Sequence, residues 1–200
     1  MLSLKPLVFL VVGLVAGVLL AIASLAWHFS IGWIGALGLV GWALYARRRW
    51  TALENTTGLE PSAPERVVWM RLGGTALILG HLAASIVLVG NNLRVGYGNS
   101  LAADSWTMVL AYVVAALLFR RDTTEKDERH EAIAARGHRV GYATLSVLLP
   151  PLIGWLAFTP REWRVFFSDF VIANVLIALL LASYVALLFV QLVAYARDTR

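Results

Sequence analysis

Residues 68–90 read VWMRLGGTALILGHLAASIVLVG. After Arg71 no formally charged side chain appears until Arg94. A helix crosses the hydrocarbon core of a bilayer with roughly 20 apolar residues, and this stretch supplies them. It predicts a membrane span with one histidine, His81, near its middle. Five further segments have the same character, at 6–27, 29–46, 105–119, 140–159 and 168–195, the second and fourth being short. The predicted fold is therefore all-α: a polytopic membrane protein, one domain over residues 1–200, with about six transmembrane helices in an antiparallel bundle. Short connections favour antiparallel neighbours.

Composition agrees with this reading. Charged residues make up 14% of the chain and the mean hydropathy is +0.74, whereas an ordinary soluble chain carries about 25% charge. The absence of cysteine excludes disulfides, thiolate metal sites and cysteine nucleophiles. The net charge of +5 is placed asymmetrically. With the amino terminus inside, 14 of the 17 Lys and Arg residues fall in cytoplasmic segments, leaving only Arg94, Arg161 and Arg164 outside. Such a bias orients a membrane protein and meets anionic headgroups. The expected partner of the basic excess is thus the lipid bilayer and not nucleic acid. The expected location is the cell (inner) membrane, multi-pass, with both termini cytoplasmic. Trp27, Trp50, Trp69, Trp106, Trp155 and Trp163 fall near predicted span ends, the preferred depth of amphipathic rings. Ala21-Ile22-Ala23 also suits a signal-peptidase site. With only Lys5 before it and an apolar run continuing past it, a retained helix is the expectation.

Small residues form seams. Gly13, Gly17 and Ala21 recur every fourth position on the first span, as do Ala76, Gly80 and Ala84 on the third. Such seams let helix backbones approach closely in lipid. Gly32, Gly35, Gly38 and Gly41 are three apart and spiral around the second span, which predicts contacts on more than one side. Segment 47–67, with Gly58, Pro61 and Pro64, reads as a polar linker. Segment 91–104 reads as an outer turn, and 159–168, with Trp163, Phe166 and Phe167, as a short interfacial helix.

The charge that the spans avoid is concentrated elsewhere. Residues 122–142 read DTTEKDERHEAIAARGHRVGY, and 11 of the 29 charged side chains lie between Arg120 and Arg139. Asp122 with Glu125 fits a helix-starting pattern. The acid-first pairs Asp122–Lys126 and Glu125–Arg129 suit exposed helix turns. The 120–139 block is predicted to be a cytoplasmic helix running past Gly137 into the fifth span. Arg129, Ile133, Arg136 and Val140 then share one narrow sector, and Asp127, Glu131 and His138 lie almost opposite. Glu128 belongs to the same candidate docking set. The block reads as a solvated orientation signal, as a docking surface for the bundle or a partner protein, or as an acid–base or metal site. The last is the least supported. His138 stands about 10 Å along the axis from Glu131, so one ion cannot join Asp127, Glu131 and His138. His130-Glu131 opens like a zinc-protease motif, but Ala134 occupies the place of its second histidine.

The run Asp127-Glu128-Arg129, then Ile133, Arg136-Gly137 and Tyr142, resembles the signature of a domain-of-unknown-function family of small multi-spanning prokaryotic membrane proteins. Gln191-Leu192-Val193-Ala194-Tyr195 followed by Arg197-Asp198 is similar to the end of such proteins. The resemblance covers about 105–200 and implies no catalytic residue. Some members are encoded beside small helix-turn-helix regulators, which implies a regulatory partner.

Ionisable residues at bilayer depth are functional candidates by default. His81 is one, read either as a hydrogen-bonded structural histidine or as part of a pathway. Bis-histidine haem is not expected, because His28, His130 and His138 all lie near span ends, and no cofactor or metal is expected. Asn174 and Thr107 sit toward the outer side. Pro150-Pro151 removes two backbone donors mid-span, which predicts a kink. Asp104 and Asp169 are read as solvated carboxylates near the outer surface. The expected function is non-enzymatic: a regulatory or partner-binding membrane protein presenting the charged helix, with self-association into a homo-oligomer left open. The alternative is a small solute or ion transporter or channel that uses His81 and Asn174.

Overall fold

The computed structural model describes residues 4–56, 61–93, 99–119, 128–160 and 168–198. Six helices account for nearly all of them: α1 (Leu4–Trp27), α2 (Gly32–Thr56), α3 (Ala63–Val89), α4 (Leu101–Leu118), α5 (Glu128–Phe158) and α6 (Asp169–Asp198), with one 3-10 turn at Gly90–Asn92. Five are long and apolar enough to cross a membrane. The exception is α2, whose apolar part stops at Arg47 after 15 residues, or about 22 Å of helix. The all-α multi-pass architecture is as the sequence predicts, but among the described residues five helices, and not the expected six, have the length and apolar character of a span.

One connection differs from expectation. Segment 47–67 is mostly helix, because α2 runs on to Thr56 and α3 begins at Ala63. Arg47, Arg48 and Arg49 favour a helix once clear of the bilayer. Pro64 stands in the first turn of α3, where its missing N–H costs nothing. At the other end of α3, Gly90 takes φ 48 and its N–H bonds back to Ile86 O, so glycine stops the helix there. The expected interfacial helix at 159–168 falls mostly on 161–167, outside the described residues. The expected start of the charged helix at Asp122 also lies outside them. From Glu128 onward the charged block and the fifth span are one uninterrupted helix that passes through Pro150 and Pro151.

α3 occupies the centre, packed against α1, α6 and α4, while α2 leans on α4 and α5 on α6. The two predicted small-residue seams meet each other. A Cβ on Gly17 would run into Leu77 O and stand 2.6 Å from His81 N, and one on Gly80 would run into Leu14 O. Only glycine admits backbone this close. Gly13 faces Gly73 and Ala76 in the same sense, so α1 and α3 run parallel. α2 returns between them in sequence but not in space. α1 and α2 diverge, and an apolar groove of about 630 Å³ opens between them. The glycine spiral of α2 is gripped over only half its length. Gly32 abuts Asp104 and Gly35 abuts Met108 and Leu20, whereas Gly38 and Gly41 have open space beside them.

Phe9 of α1 meets Trp42 of α2 and Trp69 of α3 at ring-centroid distances of 5.3 and 5.2 Å. Trp50 meets Phe119 at 5.8 Å and His130 meets Tyr195 at 5.6 Å. These pairs gather the start of α1, α3 and α5 and the end of α2, α4 and α6 at one end of the bundle. That end also carries Arg47, Arg48, Arg49, Arg66, Arg71, Arg129, Arg136, Arg139 and Arg197. It is called the basic end below.

The glycine contacts generate a contrast that thermal unfolding in detergent can read. Gly80→Ala forces Cβ onto a backbone carbonyl and is expected to cost about 1–3 kcal/mol or more. Gly38→Ala meets nothing within 4 Å and is expected to leave stability within about 0.5 kcal/mol of the parent.

Candidate functional site

The first turns of α5 carry most of the candidate residues. Ile133, Gly137 and Gly141 form its buried face. A Cβ on Gly137 would stand 2.6 Å from Gln191 Cγ and 3.0 Å from Leu187 O, and one on Gly141 would stand 3.1 Å from Leu187 Cβ. Ile133 joins Val68, Leu72, Leu188, Leu192 and Tyr195 in one apolar cluster. The start of α5 and the stretch around 187–195 of α6 thus pack on each other. The seated face is centred on Ile133 and Gly137. It shares Ile133 with the Arg129–Ile133–Arg136–Val140 sector but leaves both arginines exposed, because glycine allows α6 nearer than an arginine stem would.

Glu128, Arg129, Glu131, Arg136, His138 and Arg139 are exposed on the remaining faces. Arg129 acts electrostatically on the half-buried Glu65 of α3, as does His130. Glu65 also accepts a hydrogen bond from Trp69 Nε1 at 3.2 Å. Asp127 lies outside the described residues. Glu131 and His138 line one cavity of about 340 Å³, together with His130, Arg71 of α3, and Gln191 and Tyr195 of α6. Among the described residues no group of three His, Cys, Asp or Glu side chains is placed to hold a metal ion.

The opposite end holds a second polar cluster. Asp104 is fully buried in the first turn of α4. Ser24 Oγ and Ser30 Oγ each donate to its carboxyl at 2.5 Å, and Ser100 Oγ donates at 3.1 Å. Ser24 Oγ also accepts from Ile31 N at 3.2 Å. Asp104 thereby ties α1, the α1–α2 turn and α4 into one joint, at a turn that His28 enters with φ 49. This corrects the reading of Asp104 as a solvated carboxylate. Three hydroxyls from separate parts of the chain replace water, and only Ser100, four residues before it, is visible from local spacing. Asp169 is exposed, as expected.

His81 is fully buried. Its Nδ1 lies 3.0 Å from Ser105 Oγ. Ser105 donates its single hydrogen to Leu101 O at 3.0 Å, and Ser85 donates its own to His81 O at 2.7 Å. Nδ1 therefore carries the hydrogen in its pair with Ser105. Nε2 is left as a buried lone pair with no hydrogen-bond partner among the described residues. Asn174 is not joined to this group. Its amide donates to Phe170 O at 2.8 Å on its own helix, and Thr107 likewise bonds back to Ala103 O.

Sequence reasoning passed over Arg71, Gln191 and Tyr195 as a set. The last two are four apart and share a face of α6, but Arg71 comes from a helix distant in sequence. Comparison with known proteins returns no matching family model, no matching curated protein and no matching solved structure.

The geometry separates two kinds of polar residue. Asp104→Ala removes the acceptor of three hydroxyls in a dry site and is expected to destabilise by at least about 3 kcal/mol in detergent unfolding. His81→Gln keeps a donor for Ser105 and is expected to stay within about 1 kcal/mol of the parent. At the basic end, a double-mutant cycle of Arg129→Gln and Glu65→Gln is expected to show a coupling of about 0.5–1 kcal/mol. The same cycle with Arg136 in place of Arg129 is expected to show none.

Proposed function

We propose that this chain is a non-enzymatic, multi-pass protein of a prokaryotic cell membrane that presents the charged start of α5 to a protein partner on the cytoplasmic side. One observation carries the reading. The charged segment is a rigid continuation of a spanning helix, held along Ile133, Gly137 and Gly141, with its charged faces turned outward. A solvated tether needs no such seat. A surface offered to a partner does, because a fixed helix loses less conformational freedom on binding. The asymmetry of basic residues supports a cytoplasmic basic end with both termini on that side. The resemblance around 127–142 supports a regulatory partner. Asn174 bonds to its own helix and His81 to Ser105, which favours this reading over transport.

Two measurements test this reading. Cysteine labelling in intact cells is expected to find positions 57–60 protected, as a cytoplasmic connection should be, and positions 94–98 reactive. Cross-linking from exposed α5 positions is expected to trap a partner. Arg136→Glu with Arg139→Glu should abolish that adduct and leave the unfolding temperature unchanged. An adduct that survives charge reversal, and that excess 128–142 peptide does not displace, would overturn the proposal.

A further inference from the structure

The cavity at the basic end holds two polar groups that the other described residues leave unmatched. Arg71 sits in the third turn of α3, half-buried, with its charge reaching Tyr112. Among the described residues no carboxylate forms an ion pair with it. Gln191 is only 7% exposed, and its amide makes no hydrogen bond to any described residue. Both side chains line the same space of about 340 Å³, with His138 beside them. An uncompensated guanidinium near bilayer depth is costly, and the Gln191 amide, in the wall of the same cavity, is free to bond a ligand there. One ligand serves both if it brings a negative charge and several acceptor oxygens. A guanidinium presents its donors in a planar fork that fits a phosphate group.

We propose that this cavity is a binding site for a single phosphate-centred anion, held by Arg71 and Gln191 between α3, α5 and α6. Exposed Glu131 at the rim opposes a polyanion, so the site favours a phosphodiester of one negative charge. Val67, Val68 and Ala134 make part of the wall apolar. The cavity shares its end of the bundle with Arg47, Arg48, Arg49 and Arg66, the depth at which basic pockets between helices take anionic lipid headgroups. The favoured source is therefore the headgroup of an anionic phospholipid, and free phosphate is the other source with the same chemistry. Bound there, the ligand also clamps the charged helix to the bundle. The site does not depend on the partner reading above.

The test uses the full chain, stripped of lipid in an uncharged detergent. Phosphatidylglycerol, a phosphate-free galactolipid of equal chain length, and inorganic phosphate are titrated separately. Native mass spectrometry counts bound lipid, and thermal unfolding reads stabilisation. One tightly held phosphatidylglycerol with no retained galactolipid is expected. Stabilisation by inorganic phosphate alone assigns the site to free phosphate. Gln191→Leu and Arg71→Gln are each expected to weaken binding roughly tenfold or more, while Arg48→Gln on exposed α2 leaves it unchanged. Should Arg71→Gln fail to fold, Gln191→Leu and the parent chain's selectivity decide the matter. Equal retention of both lipids with no response to phosphate overturns the proposal, as does unchanged binding in the folded variants.

Discussion

The backbone of α1 touches the backbone of α3 where Gly17 and Gly80 cross. Everything else in the bundle is arranged around that contact. Lipid offers no hydrophobic drive for one apolar helix to prefer another, so close packing and the dispersion it brings must hold the pair. A side chain at either glycine would push the helices apart and would move His81, whose N–H lies beside Gly17. With α1 fixed on one flank, α3 offers its other faces to α4 and α6. α2 and α5 then attach to those two helices and not to the centre. The bundle is a central three-helix unit, α1, α3 and α6, with an outer helix added on either side through α4 and α6.

The central helix also carries polar side chains along its length. The half-buried Arg71 and the buried Thr75 lie toward the basic end, and the buried His81 and Ser85 toward the other. At one end Asp104 is saturated: it takes three hydroxyls and closes the joint between α1, α2 and α4. At the other end Arg71 and Gln191 are open to a cavity. A saturated buried network specifies one arrangement of the helices, whereas a polar cavity leaves its donors open.

Much of this was legible in the sequence because it depends on local pattern. Apolar length marks the spans, glycine spacing marks the α1–α3 seam, and the charged run after Phe119 marks the helix that enters span five. What was illegible depends on which helices become neighbours. Ser24, Ser30 and Ser100 look like ordinary polar residues near span ends until α4 brings Asp104 between them. Arg71 looks like one more inward basic residue until α6 sets Gln191 beside it. Nor does periodicity say which face of α5 seats on the bundle: that is decided where Gly137 and Gly141 let α6 come nearest.

The parallel pairing of α1 with α3 imposes an order on biosynthesis. The chain emerges from the amino terminus, so α2 is made before the partner that α1 needs. It must be set aside for the seam to close. Until α4 follows, the start of α2 has no Asp104 to hold it, and the serines of the α1–α2 turn remain without their acceptor. A nascent chain arrested before Asp104 would therefore present an unfinished membrane domain to the quality-control machinery. Only the arrival of α4 closes the joint at the start of α2, and α6 then completes the packing around α3 with α5 seated on it.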